Sequence, residues 1–236
     1  MKKYLIIIPV LAFISCKKEK PAAAELPVVP DSPNTVSTAT AYSGIFTIVD
    51  SEGSITAGFN STPFPNMSDT VQVKHVTCNG KKLSFEKDVF FYYGGTFNAG
   101  AVALGVEGRG NIPSFNYTYK DPMPTYNQWV SIPMTASKST GYTIQINNVA
   151  NVVPTGADVV LRSYTNPFNI IYKPIGNGNN TIVFTPAELS GFAVTNNLYD
   201  NEIFITLENS KVLNFYGKDF KFARQKYIPG YVKITN

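Results

Sequence analysis

Histidine and cysteine are almost missing: the 236 residues hold one histidine, His75, and two cysteines, Cys16 and Cys78. That supply cannot build a His/Cys metal cluster, and with Cys16 in a leader it leaves Cys78 no partner for an internal disulfide. Charge is scarce as well. Only 15% of residues are charged, 20 basic against 16 acidic, and removal of Lys2 and Lys3 with the leader leaves 18 against 16. So small an excess gives no electrostatic reason to expect a nucleic-acid partner. There is no G-x-S-x-G elbow, no H-E-x-x-H, no Walker loop and no dinucleotide-binding G-x-G-x-x-G. Gly105-Val106-Glu107-Gly108-Arg109-Gly110 is glycine-rich but lacks the spacing and the helix of a phosphate cradle. No cofactor, metal site or catalytic residue is therefore assigned.

What is abundant is aromatic and turn-forming. The chain has 16 Phe, 14 Tyr and 1 Trp, with 17 Gly and 16 Pro, and 44% of it is hydrophobic. This composition suits strands and turns rather than disorder or long helices.

The first sixteen residues carry the strongest pattern. Lys2 and Lys3 form a basic start, Tyr4 to Ile14 is an apolar run of eleven residues, and Ser15-Cys16 closes it. Eleven helical residues rise about 16 Å, roughly half a bilayer core, so the run does not span a membrane. Phe13-Ile14-Ser15-Cys16 resembles the lipobox of bacterial lipoproteins. The resemblance implies a signal peptide over 1–15, a diacylated Cys16, and membrane attachment through the lipid. Two or more acyl chains bury enough methylenes for a firm anchor, whereas one alone does not. The charged run Lys17-Lys18-Glu19-Lys20 makes the leader similar to those of Bacteroidota outer-membrane lipoproteins. In that group such a segment directs the protein to the outer face of the outer membrane; a periplasm-facing anchor is the alternative. Residues 16–40, with Pro21, Pro27, Pro30, Pro33 and a Ser/Thr/Ala stretch, read as a solvated tether. Asp69-Thr70-Val71 resembles the short O-glycosylation motif of the same bacteria, which makes Thr70 a candidate acceptor.

From Tyr42 onward, short alternating segments are punctuated by Gly, Pro and Asn. The expected fold is an all-β antiparallel sandwich, immunoglobulin-like or similar. Asn79-Gly80 predicts a tight type I′ hairpin within Val71–Phe85, because both of its central positions need positive φ. Its register sets Cys78 opposite Lys81, Val76 opposite Leu83, Lys74 opposite Phe85 and His75 opposite Ser84. Cys78, Val76, Leu83 and Phe85 then share an apolar face, and His75 lies on the wetter one. Tyr142, Ile144 and Ile146 alternate with polar residues, as do Ile182 and Phe184 with their neighbours. Ile203 to Leu207 is apolar enough for a central strand. Asn177-Gly178 marks a loop or hairpin end, and Tyr231 to Ile234 a closing strand. Thr185-Pro186-Ala187-Glu188 predicts one short connecting helix with a capping box. The proline-rich stretch from Tyr119 to Pro133 either crosses a sandwich end or joins two subdomains. The reading taken is two, 41–120 and 121–236.

Few residues suggest chemistry. A triad would have to use His75, whose expected partner Ser84 has no oxyanion hole beside it. Cys78 on an apolar face lacks the base a nucleophile needs. Asp121, Asp158, Asp200 and Asp219 fall in expected loops, where solvated carboxylates are the default. The basic and aromatic residues between Lys211 and Lys233 read as a sheet with one packed face and one basic face. The expected function is a non-enzymatic module binding a glycan or an envelope protein. Tyr117, Tyr119, Tyr126 and Trp129 are its candidate contact surface. A structural or assembly component of the outer membrane and a carboxylate-dependent glycoside hydrolase are the alternatives.

Overall fold

The computed structural model describes residues 35–37, 41–49, 53–61, 70–89, 91–94, 100–126, 130–153, 156–165 and 168–236. Cys16, most of the tether and Trp129 lie outside them. In chain order the strands begin with β1 (Thr35–Ser37), β2 (Gly44–Val49), β3 (Ser54–Phe59), β4 (His75–Cys78) and β5 (Lys81–Lys82). Next come β6 (Ser84–Glu86), β7 (Phe91–Gly94), β8 (Val102–Glu107), β9 (Phe115–Tyr119) and β10 (Val130–Ser131). They continue with β11 (Thr135–Ser137), β12 (Tyr142–Val149), β13 (Asp158–Ser163), β14 (Ile170–Pro174) and β15 (Gly178–Phe184). After the helix α1 (Pro186–Leu189) the chain closes with β16 (Asn201–Phe215), β17 (Lys218–Tyr231) and β18 (Lys233–Thr235). The fold is all-β, largely antiparallel and sandwich-like.

The long hairpin β16–β17 organises the rest. It pairs without a break from Glu202 with Tyr231 to Phe215 with Lys218. At its open end β16 carries β13 and then β14 on its flank. At its turn β16 carries β1, while β17 carries β2 in parallel, followed by β3, β7 and β6. Two cores pack against this one ladder. The first joins its turn half to the sheet β5-β4-β8-β9 through Phe46, Phe59, Val76, Leu104, Phe115, Phe220 and Phe222. The second joins its open half to the sheet β10-β12-β15 and the pair β11-β18 through Ile144, Ile146, Phe184, Ile203, Ile205 and Ile234. Leu213 to Phe222 thus belong to the first core, although they lie in the stretch expected to build the second subdomain.

Several local expectations hold. Asn79 and Gly80 have φ of 48° and 75°, and Cys78 pairs with Lys81. Tyr142, Ile144 and Ile146 are buried while Thr143 and Gln145 are exposed. Ile203 to Leu207 lies between β13 and β17, in the middle of the sheet. Other expectations need correction. After Leu83, whose amide still bonds Val76 O, the strand leaves β4 and crosses to the other sheet, where Phe85 pairs with Tyr92 and Ser84 with Tyr93. Lys74 therefore does not face Phe85, and His75 pairs with Glu107 instead of Ser84. Asp158 and Asp219 lie in strands, not loops.

The C-terminal cations are placed differently from the expected basic face. On the side of the hairpin that carries both cores, Arg224, Lys226 and Lys211 occupy the waist between them. Arg224 is fully buried with its guanidinium 5.5 Å from the Tyr119 ring. Lys211 sits 5.4 Å from that ring, and Lys226 sits 5.1 Å from the ring of Tyr126. Residues 120–126 cross this waist, pinned by Lys211 to Asp121 at 2.9 Å and by Asn209 Nδ2 donating to Pro122 O. Cations stacked on aromatic faces let charge pass between two apolar cores without leaving it unpaired.

The hairpin turn, Tyr216-Gly217, has φ of 52° and 79°. Positive φ is costly for a tyrosine, and the 60% exposed ring recovers little by packing. Tyr216→Asn should therefore raise stability by about 0.5–1 kcal/mol, read as a shift in denaturant midpoint at unchanged slope. The helix α1 shows the full capping box: Thr185 accepts from the Glu188 amide, and Glu188 accepts from the Thr185 amide. Glu188 also pairs with Lys173, and that hydrogen bond, with the one from the Thr185 amide, holds its carboxyl down at about 2. A depressed carboxyl contributes stability that is complete above its unfolded value of 4.5 and is lost as pH falls through about 2. Wild type should thus lose about 1 kcal/mol more than Glu188→Gln between those limits in acid-titrated melts, a modest figure because the pair is partly exposed.

Candidate functional site

The tyrosines expected to form a contact surface do not share one. Tyr119 is fully buried, donates its hydroxyl to Asn209 O at 2.8 Å, and has its phenol pKa pushed up by burial. Tyr117 is half-buried against Phe222, ring centroids 4.7 Å apart, in the first core. Tyr126 is half-buried against the second. The expectation is corrected for these three, because strand β9 turns its aromatics inward and the crossing segment lies flat on the hairpin. Trp129 and Cys16 fall outside the described residues. Thr70 is half-buried and bridges Asn60. His75 Nε2 lies 3.9 Å from Glu107 Oε2, and burial pushes the Cys78 thiol up, away from thiolate chemistry. Among the described residues no three His, Cys, Asp or Glu side chains gather as metal ligands.

The exposed aromatic surface lies elsewhere, on the side of the large sheet turned away from the second core. Side chains on one face of adjacent strands line up in rows, so the register defines it. One row runs Tyr172, Val160, Phe204, Pro229. On one side of it runs Ile170, Arg162, Glu202, Tyr231, and on the other Pro174, Asp158, Thr206, Tyr227. Four strands span about 14 Å and three rows about 13 Å, which makes a broad platform. Its tyrosine rings are open to solvent, while Phe204 is half-buried. Tyr172 is 62% exposed, Tyr231 and Tyr227 about two-fifths, and Tyr199 stands edge-on to Tyr231 at 5.0 Å.

A polar cluster is set into this platform. Arg162 reaches Glu202 Oε2 through Nη2 at 2.8 Å and Nε at 3.1 Å, and Tyr164 hydrogen-bonds both partners. The guanidinium lies over Phe204 at 4.2 Å and over Tyr164 at 4.8 Å. Desolvation opposes the Arg162 charge, yet the hydrogen bonds to Glu202 and Tyr164 outweigh it and its pKa is raised. The hydrogen bond to Glu202 likewise raises Tyr164. The cluster is thus one hydrogen-bonded unit that offers fixed donors and acceptors.

The remaining acids on this side are poorly placed for hydrolysis. Glu208 is 2% exposed, and a Cβ on Gly156 would sit 2.1 Å from its Oε1. Its carboxylate is held by Lys221 and Gln225, each at 2.7 Å. Burial and the Glu208 charge raise Asp158, but a substrate cannot reach the second member of that pair.

Sequence reasoning passed over this platform, although a signal existed. In Ile203-Phe204-Ile205 both faces of a strand are apolar, and in an antiparallel sheet the second apolar face has to meet something. Tyr172, Tyr227 and Tyr231 are scattered singly along the chain, and only the register collects them. The chain matches no known protein-family model, and no characterised protein is detectably similar to it in sequence.

Proposed function

We propose that the protein is a non-catalytic binding module of the cell envelope, anchored through acylated Cys16, that holds a neutral glycan on the aromatic platform. The observation that carries this reading is the group of exposed rings Tyr172, Tyr227 and Tyr231 around the half-buried Phe204, with Pro229 exposed beside it. Flat rings with polar rims suit the C–H faces of pyranose units, and Arg162, Glu202 and Tyr164 supply directed hydrogen bonds at the same level. The Arg162–Glu202 ion pair is internally compensated and Asp158 adds an acid beside it, so the platform disfavours an anionic ligand. A platform about 14 Å across accommodates several sugar units in a row.

The test is titration of the protein with soluble neutral polysaccharides by affinity electrophoresis and calorimetry. Tyr172→Ala and Tyr231→Ala should each weaken binding about tenfold, the equivalent of about 1.4 kcal/mol, without lowering the melting temperature. Unchanged affinity in folded variants would sink the platform as the site. Capture of an envelope protein, sensitive to the same substitutions and with no glycan bound, would favour the assembly role instead. Acylation is checked separately: Cys16→Ser should move the protein from the membrane to the soluble fraction. Thr70 as an O-glycan acceptor is checked by intact mass of Thr70→Ala.

A further inference from the structure

We infer a second binding site, independent of the aromatic platform, for a carboxylate-bearing sugar at the point where the chain crosses between the sheets of the first sandwich. The strand from Lys81 to Glu86 pairs first with β4 and then with β7, and Leu83 makes the crossing. Two sheets that share a strand in this way cannot stay in contact on both sides of it. A cleft of about 380 Å³ opens beside Leu83, large enough for a single sugar unit.

Its chemistry divides cleanly. The floor is apolar: Leu83 is buried, and the rings of Phe85 and Tyr92 lie with centroids 5.0 Å apart. The Tyr92 hydroxyl is spent on Val73 O and its ring is buried in the first core, so the aromatic surface left to the cleft is chiefly that of half-buried Phe85. The rim is polar, formed by Gln72, Ser84 and two lysines, and among the described residues no acid lines the cleft. Lys74 is paired with Glu107 at 3.1 Å, whereas Lys82 is exposed and has no acidic partner among the described residues. A ligand that satisfies all of this has one negative group for Lys82, assisted by Lys74, a flat C–H face for Phe85, and hydroxyls for Gln72 and Ser84. A uronic acid has that set, and a bare inorganic anion or a neutral sugar has only part of it. A cation exposed at the rim strengthens its attraction for an anion as the ligand displaces water.

The test is titration of the full-length protein with galacturonate, galactose and inorganic phosphate, followed by calorimetry and by amide shifts at Lys82, Ser84 and Phe85. Galacturonate should saturate those shifts, with galactose and phosphate each at least tenfold weaker. Lys82→Glu should weaken galacturonate at least tenfold and Phe85→Ala several-fold, while Tyr172→Ala leaves it unchanged. Tighter binding of trigalacturonate than of the monomer marks an acidic chain as the source, and equal binding marks the free sugar; both support the site. The inference is overturned if no saturable shift occurs at these residues, if galactose or phosphate matches galacturonate, or if Lys82→Glu, shown folded by its melting curve, binds as wild type. Because the neutral-glycan titration reads a different face with different variants, either site can fail while the other stands.

Discussion

Lys221→Met should destabilise the protein by about 3–5 kcal/mol, more than most substitutions at a residue that is not fully buried. Lys221 meets Glu208 at 2.7 Å on the outward side of the long hairpin, and Glu208 is almost completely buried. Removing the ammonium leaves a desolvated carboxylate with, among the described residues, the Gln225 amide at 2.7 Å to hold it. The loss is therefore the cost of stranding Glu208 more than the worth of the pair. The double variant Lys221→Met/Glu208→Gln separates the two: it should recover most of the loss, giving a coupling of about 2 kcal/mol or more in a denaturant-based cycle. A double variant as unstable as Lys221→Met alone would mean that the lysine stem, not its charge, carries the effect.

Phe222→Ala should cost a similar 3–5 kcal/mol, by a different route. Phe222 is fully buried and stacks on Phe46 with centroids 4.9 Å apart and planes within 2°. It also meets Tyr117 at 4.7 Å and Phe215 at 6.0 Å. Rings held on three sides by other rings cannot collapse into the space, so most of the cavity stays open. The loss should spread beyond the first core. One unbroken ladder of paired residues runs from Glu202–Tyr231 to Phe215–Lys218 and carries both cores, so calorimetry should show a single transition at a lower temperature. Two separated transitions, with the upper one unmoved, would show that the cores melt independently.

The sequence was most legible where local chemistry decides conformation. Asn79-Gly80 dictates positive φ, and the capping box at Thr185–Glu188 closes on itself within four residues. Alternation along Tyr142–Ile146 gives the buried side directly. Legibility ended where the deciding partner is far along the chain. Nothing local says that the strand after Leu83 will abandon β4, since the competing pairing, Phe85 with Tyr92, belongs to another sheet. Tyr216-Gly217 does not look like a tight turn; it becomes one because the flanking strands are committed over fourteen paired positions. The candidate site suffered most. Tyr117 and Tyr119 lie close together in sequence, yet a strand that faces a core turns such aromatics inward. The platform residues Tyr172, Phe204 and Tyr231 come from three strands joined only by the register through β13 and β16.

The position of β1 and β2 at the hairpin turn has a mechanical meaning. The N-terminal end of the described chain engages the ladder at residues 212–214 and 220–225, while the platform occupies residues 202–206 and 227–231 at the far end. On β16 the five residues 207–211 lie between the two, roughly 20 Å of strand from Thr206 to Val212. With the proposed anchor holding the N-terminus, tension from a bound ligand runs along the strands, and β2, parallel to β17 over six pairs, is loaded in shear. In shear the pairs share the force and must fail together, whereas a peeled strand loses them one at a time. On the proposed reading the load would therefore fall on all six pairs of β2 and β17 at once.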